Sequence, residues 1–365
     1  MIGYVLSLAR WEWFKQRRRW LPWVLLAILA LIPQAAIWGS FGSYHFQSND
    51  SDRQMVFGVS GAGQRPIEAH GDGRVSGGRI GQIVPGGSVS VNCDDILSGN
   101  VPELPPGFPP EVLDDFEREC RRDAVQNDQI RADEYDAFAF PASLGFALQF
   151  AVGFGVILLI VLTTSVVGTE YSWGTLRNVL ARGTGRWQFM AGKATLLVFL
   201  ALGGLLTVMA LTAVSSLIAV SLTDTPVGYV SSTTWLGLLE SLGRAWYGLI
   251  PYIALAGFAT VLVGSSALGL SLSIGYYIGE QILSGLMSAL FDWFDTIGDY
   301  LLGPNIAAWV SGGGGNTDGL LMGMVLDSPP GQLHASLVMA AYIVGLSALA
   351  LWRFSRRDVG GASGG

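Results

Sequence analysis

The chain has 365 residues, half of them hydrophobic and only 13% charged, with a mean hydropathy of +0.44 and a formal net charge of −7. Soluble domains carry about 25% charged residues, so a water-soluble globular class is excluded. No basic surface aimed at nucleic acid stands out beyond the clusters that flank apolar runs.

Six apolar runs are predicted to cross a bilayer, at 20–42, 143–168, 194–222, 245–264, 266–290 and 335–352. Each offers roughly the 20 residues that a ~30 Å hydrocarbon layer requires. Each must be helical, because a spanning segment has to satisfy its own backbone polar groups. The fourth and fifth nearly fuse around Gly264-Ser-Ser-Ala-Leu-Gly269. The expected fold is an all-α polytopic membrane protein with an N-terminal interfacial helix and a mixed extracytoplasmic domain inserted between spans one and two. No cleavable signal peptide is predicted.

In chain order, residues 1–19 come first. Ile2, Val5, Leu6, Ala9 and Trp13 recur at helical spacing, with Arg10, Lys15, Arg17 and Arg18 largely off that stripe. This predicts a helix lying in the membrane interface; an ordinary basic flank of the first span is the alternative. Trp11, Trp13 and Trp20 suit a headgroup boundary.

Residues 43–140 form the insertion, with 17 acidic against 8 basic residues. The Gly-rich first half, such as Gly71-Asp-Gly-Arg-Val-Ser-Gly-Gly-Arg79, predicts strands and turns. Glu111–Glu134 is charged and predicted helical. Cys93 and Cys120, the only cysteines, both lie in this loop. On an oxidising face they predict a disulfide worth about 3 kcal/mol; two reduced structural thiols are the alternative.

Spans two to six fill 141–352, interrupted by polar loops at 168–193 and 291–334, and a tail follows at 353–365. Basic residues crowd the N-terminal stretch, the 168–193 loop and the tail. All three are predicted cytoplasmic, which requires an even number of spans. Residues 43–140 and 291–334 then lie outside. Phe291–Tyr300 mixes aromatics and acids as a short interfacial helix would.

Within 168–193, Trp173, Leu176 and Leu180 share one helical face, while Arg177 and Arg182 point elsewhere. Gly183 is a natural stop and Thr184 a natural cap for the next helix. So short a helix is marginal in water and needs a surface to pack on. By itself the pattern reads as a structural interfacial helix.

Glu280 is the one ionisable group well inside an apolar run. Lipid exposure would cost several kcal/mol, so it should face protein or a water-filled cavity. Arg244, at the outer mouth of the fourth span, is a possible partner across antiparallel neighbours; lining a translocation path is the other option. Gly275-Tyr-Tyr-Ile-Gly279 permits close helix approach, within the chain or between subunits. Gly192-Lys193-Ala194-Thr195 echoes a phosphate-binding loop, but Trp187 and Ala194 occupy positions where that loop needs Gly and Ser or Thr. His45, His70 and His334 are scattered, and no metal-ligand spacing occurs.

Glu170, then Gly174-Thr175-Leu176, a basic turn ending in Arg186, and Gly192-Lys193 leading into the next span together resemble the cytoplasmic loop of bacterial type-2 ABC transporter permeases. The N-terminal helix with Trp11-Glu12-Trp13, the six spans and the external insertion resemble that family too. The likeness covers the membrane portion and not 43–140. It implies a permease subunit, an exporter by the habit of the family, that performs no catalysis itself and holds no cofactor or metal. ATP and Mg would sit on two cytoplasmic ATPase partners. A second permease copy is implied, a homodimer in preference to a heterodimer, in the bacterial inner membrane with both termini cytoplasmic. Residues 171–182 would be the coupling helix seated on the ATPase. Trp173, Gly174, Thr175, Leu176, Arg177, Leu180 and Arg182 would make that contact, and Glu170 and Arg186 would brace the loop ends or join it. From another class, a membrane-anchored sensor or assembly factor with a ligand-binding external domain fits the large insertion.

Overall fold

The structure is a computed structural model and describes residues 2–47, 54–57, 89–93, 97–98, 110–172, 185–223, 231–291, 297–312 and 330–356. Among these residues it contains nine helices: α1 (Ile2–Arg17), α2 (Trp20–Gln47), α3 (Pro110–Phe138), α4 (Ala142–Ser172), α5 (Arg186–Leu222), α6 (Ser232–Val263), α7 (Ser266–Leu290), α8 (Leu302–Val310) and α9 (Gln332–Arg356). One antiparallel ladder, β1 (Gln54–Phe57) with β2 (Val89–Asn92), pairs Gln54 with Asn92 and Phe57 with Val89.

The chain divides into two compact units, Met1–Ile37 with Ala139–Gly365, and Trp38–Phe138. In the first, α4 is the central helix. Its most apolar 18-residue stretch is 67% buried, against 17% in α2 and in α9. Ala147, Ala151, Val156 and Ile160 of α4 pack in one core with Leu205 of α5, Leu249 and Tyr252 of α6, Ile306 of α8 and Met339 of α9. Small residues at four-residue spacing let neighbouring helices approach α4 closely. Outside that core, large apolar side chains remain exposed along the outer helices, including Phe199, Val214, Leu239, Leu286, Leu337 and Val344. A soluble monomer seldom leaves so much apolar surface uncovered. Together with helix length, this identifies a membrane protein.

Five of the described helices are long and apolar enough to cross a membrane: α2, α4, α5, α6 and α9. The sixth predicted span, 266–290, forms α7 but does not reach that apolarity. Its Ser, Gly, Gln281 and Glu280 content lowers its mean hydropathy.

Several boundaries differ from the sequence expectation. α4 runs to Ser172, so Glu170 belongs to its last turn instead of to a loop. α5 begins at Arg186, eight residues ahead of the predicted third span, and α6 begins at Ser232, well before 245. The polar residues in these extensions find partners. Ser231 caps α6 by accepting the Thr234 N–H at 3.2 Å, and Arg244 pairs with Glu240 one turn earlier.

The near-fused fourth and fifth spans are separated by one tight turn. Gly264 closes α6 in the left-handed conformation (φ 71°), and its N–H bonds to Thr260 O at 2.8 Å. α7 then returns so near that a Cβ on Gly269 would lie 2.7 Å from the Thr260 Cα.

The second unit holds the ladder, α3 and the end of α2. Cys93 and Cys120 form a disulfide, as the shared loop predicts. Phe41, Tyr44, Tyr135 and Phe138 form an edge-packed aromatic cluster with centroids 5.4–5.9 Å apart.

Candidate functional site

At one end of the first unit, α1, the last turns of α4 and the first turns of α5 meet around four charges. Glu12 and Lys15 lie one turn apart on α1, where the i, i+3 spacing puts them on the same face. Lys15 Nζ stands 2.6 Å from Glu12 Oε1 and 3.1 Å from Glu170 Oε1. Lys193 Nζ stands 3.2 Å from the same Glu170 oxygen and 3.6 Å from Glu12 Oε2. It also donates to Val166 O at 2.8 Å. The Phe189 ring lies 5.0 Å below the ammonium, a cation–π contact.

Two carboxylates and two ammonium groups make the cluster formally neutral. Burial is graded across it: Lys193 is 2% exposed and Lys15 35%. Burial works against the Lys15 ammonium, but the Glu12 and Glu170 carboxylates outweigh it and hold its pKa above the ordinary lysine range. Such a buried network is costly to form and costlier to break, because removing one member leaves an uncompensated charge.

Glycine permits the approach. A Cβ on Gly192 would lie 2.9 Å from the Leu8 side chain of α1, and one on Gly168 would lie 2.6 Å from the Ser266 Cα at the start of α7. Around the cluster, Arg19 donates to Thr169 Oγ1 at 3.1 Å. Arg186 donates to Phe354 O at 3.2 Å and Ser355 O at 2.6 Å, which ties the start of α5 to the end of α9, and Phe189 stacks on Phe354.

Of the sequence-predicted coupling residues, Glu170 and Arg186 are therefore placed at the two ends of the 173–184 segment. Trp173, Gly174, Thr175, Leu176, Arg177, Leu180 and Arg182 lie outside the described residues. Glu12, Lys15 and Lys193 were not singled out as site residues. The signal was present in Lys193, a cation two turns into an apolar helix, which needs a buried counter-charge.

The suggested Arg244–Glu280 pairing is corrected. Arg244 engages Glu240 on its own helix, and its guanidinium lies against Gly312, whose φ of 72° favours glycine. Glu280, 5% exposed, instead accepts the Gly303 N–H at 2.8 Å at the N-terminus of α8. A carboxylate there meets unpaired helix N–H groups and the positive end of the helix dipole. Along α8, Leu302–Ala308 are buried. Asn305 donates to Asp299 O at 2.7 Å and Leu301 O at 2.6 Å, and Gln332 donates to Ala308 O at the far end. His334 bonds Asp299 O at 2.9 Å, while His45 stacks on Phe41. His70 lies outside the described residues.

A helical membrane bundle with a braced charged junction at one end defines the class. Residues 133–360 match the family described as "Protein of unknown function (DUF2705)", and the chain belongs to that family. No curated protein and no solved structure matches it.

Proposed function

We propose that this chain is the membrane-spanning subunit of an ATP-driven ABC transporter, an exporter, working as a homodimer with two ATPase subunits that carry ATP and Mg. The carrying observation is the Glu12–Lys15–Glu170–Lys193 cluster, which ties both ends of the 173–184 segment to each other and to α1. A segment that receives force from a partner needs such stiff attachment, since slack at its base would absorb the displacement. The Trp173–Arg182 pattern supplies the docking face, and ATP hydrolysis on the partner drives alternating access.

The charge pattern supports a sixth crossing by α7. With α2, α4, α5, α6 and α9 alone, the crossings are odd in number, and Arg353 and Arg356 of α9 would face opposite to the basic N-terminus. Adding α7 returns both ends to the cytoplasmic side. Independently of α7, a cytoplasmic N-terminus leaves the Cys93–Cys120 disulfide outside, where oxidising conditions preserve it.

Co-expression with an ABC ATPase and affinity capture of this chain test the proposal. The expected result is a complex with vanadate-sensitive ATP hydrolysis that falls at least tenfold in Leu176→Ala or Arg182→Ala. Failure to retain an ATPase, or modification of an introduced Cys at 177 by an impermeant reagent added outside the cell, would refute it. The compact disulfide-closed unit Trp38–Phe138 favours one alternative, a sensor whose external domain binds a ligand. Ligand-dependent signalling without any ATPase would establish that instead.

A further inference from the structure

A cavity of about 250 Å³ opens among α1, α2, α4 and α5. Leu25 and Leu29 of α2, Leu158 and Leu162 of α4, and Gly203 and Gly204 of α5 are among its walls. Polar groups on the lining are mostly spent. Thr207 donates its hydroxyl back to Gly203 O at 2.8 Å, and the Trp23 indole donates to Arg17 O at 3.1 Å. Arg17 brings the sole charge to the lining. It makes no ion pair among the described residues; its guanidinium lies 5.8 Å from the Phe14 ring. Trp13 and Trp23, both partly exposed, stand beside it, as indoles do at the headgroup level of a bilayer.

We infer that this cavity takes the headgroup-proximal part of one acyl chain of an anionic phospholipid, with the lipid phosphate on Arg17. Leucine walls suit a hydrocarbon chain, and an unpaired guanidinium at the Trp-flanked end suits a bidentate phosphate contact. The space is too small for a helix of about 10 Å diameter from a second protein. It also falls below the roughly 300 Å³ at which compact drug-sized sites begin, whereas a slender chain can enter it lengthwise and run on beyond its mouth. The site requires only that the bundle sits in a bilayer, and it stands whether or not an ATPase partners the chain.

The test uses the full chain purified in detergent, equilibrated with equal amounts of phosphatidylglycerol and phosphatidylcholine of identical acyl chains, and read by native mass spectrometry. One retained phosphatidylglycerol per chain is expected. Arg17→Gln should lower the phosphatidylglycerol-to-phosphatidylcholine ratio about fivefold, the effect of one interfacial cation. Arg18→Gln, whose charge lies off the lining, should leave that ratio within about twofold of the parent, well short of one interfacial cation's effect. Gly203→Leu should reduce retention of both lipids, and nothing lies within 4 Å of a Cβ built there, so the bundle tolerates it. Thr207→Leu supplies a second block on the same wall should Gly203→Leu misfold in size-exclusion chromatography. Equal losses in Arg17→Gln and Arg18→Gln would overturn the inference, as would undiminished retention in the blocking variants.

Discussion

Replacing Lys193 with Met removes the most buried cation of the junction while keeping most of its volume. Glu12 and Glu170 would then share a site with Lys15 alone, leaving one negative charge uncompensated and Val166 O without its 2.8 Å donor. Breaking a buried pair in this way costs about 3–5 kcal/mol. At roughly 2–4 °C per kcal/mol for a chain of this size, the thermal midpoint in detergent should fall on the order of 10 °C. Lys15→Met touches the same two carboxylates from a position 35% exposed, where water screens the loss, and should cost about 1 kcal/mol or less. Adding Glu170→Gln to Lys193→Met should recover about 1–3 kcal/mol, because one of the stranded charges is gone. Thermal unfolding of the two singles and the double gives the comparison. If Lys193→Met and Lys15→Met lose the same amount, or Glu170→Gln deepens the defect, the buried-charge account is refuted.

Glu280→Gln keeps an acceptor for the Gly303 N–H and should leave the thermal midpoint and assembly intact; under the proposed function it should lower vanadate-sensitive ATP hydrolysis by the captured complex. Glu280→Leu orphans that N–H and should cost about 1–3 kcal/mol in thermal unfolding. Gly168→Ala places a methyl 2.6 Å from the Ser266 backbone and should destabilise by about 1–3 kcal/mol. Gly203→Ala, facing open space, should be neutral or slightly stabilising in the same assay. Cys93→Ser with Cys120→Ser should weaken the Trp38–Phe138 unit by about 3 kcal/mol, seen as faster proteolysis there with the helical bundle still protected. Because the Lys15 pKa is raised, its stabilising contribution is fully present below pH 10.5 and is lost as pH climbs through the raised value. The gap in thermal midpoint between the parent and Lys15→Met should therefore hold constant from pH 7 to 9.5 and close only above that range.

The apolar runs were readable because a bilayer demands about 20 consecutive apolar residues and a helix supplies its own hydrogen bonds. Helix ends were less readable, since polar extensions survive only where a partner waits, and partners come from elsewhere in the chain. Arg186 is helical because α9 offers its terminal carbonyls, which no local pattern announces. The Arg244 partner was in plain view four residues earlier, and the i, i+4 rule outranks a guess across helices. Glu280 was legible as a buried carboxylate but its partner was not. Leu302–Val310 is too short to read as a span, and Pro304 and Asn305 disguise it as loop. The charged junction was half visible: Glu12 and Lys15 sit one turn apart, whereas Glu170 and Lys193 reach them only after folding.

Gly168 of α4 lies so near Ser266 at the tip of the α6–α7 hairpin that a Cβ there would stand 2.5 Å from the Ser266 Cβ and 2.6 Å from its Cα, atoms that move only with the backbone. A residue larger than glycine there would push the end of α4 and the hairpin tip apart, and α7, which carries Glu280, starts at that tip. One glycine thereby sets how closely the helix that bears Glu170 can lie against the helix that bears Glu280.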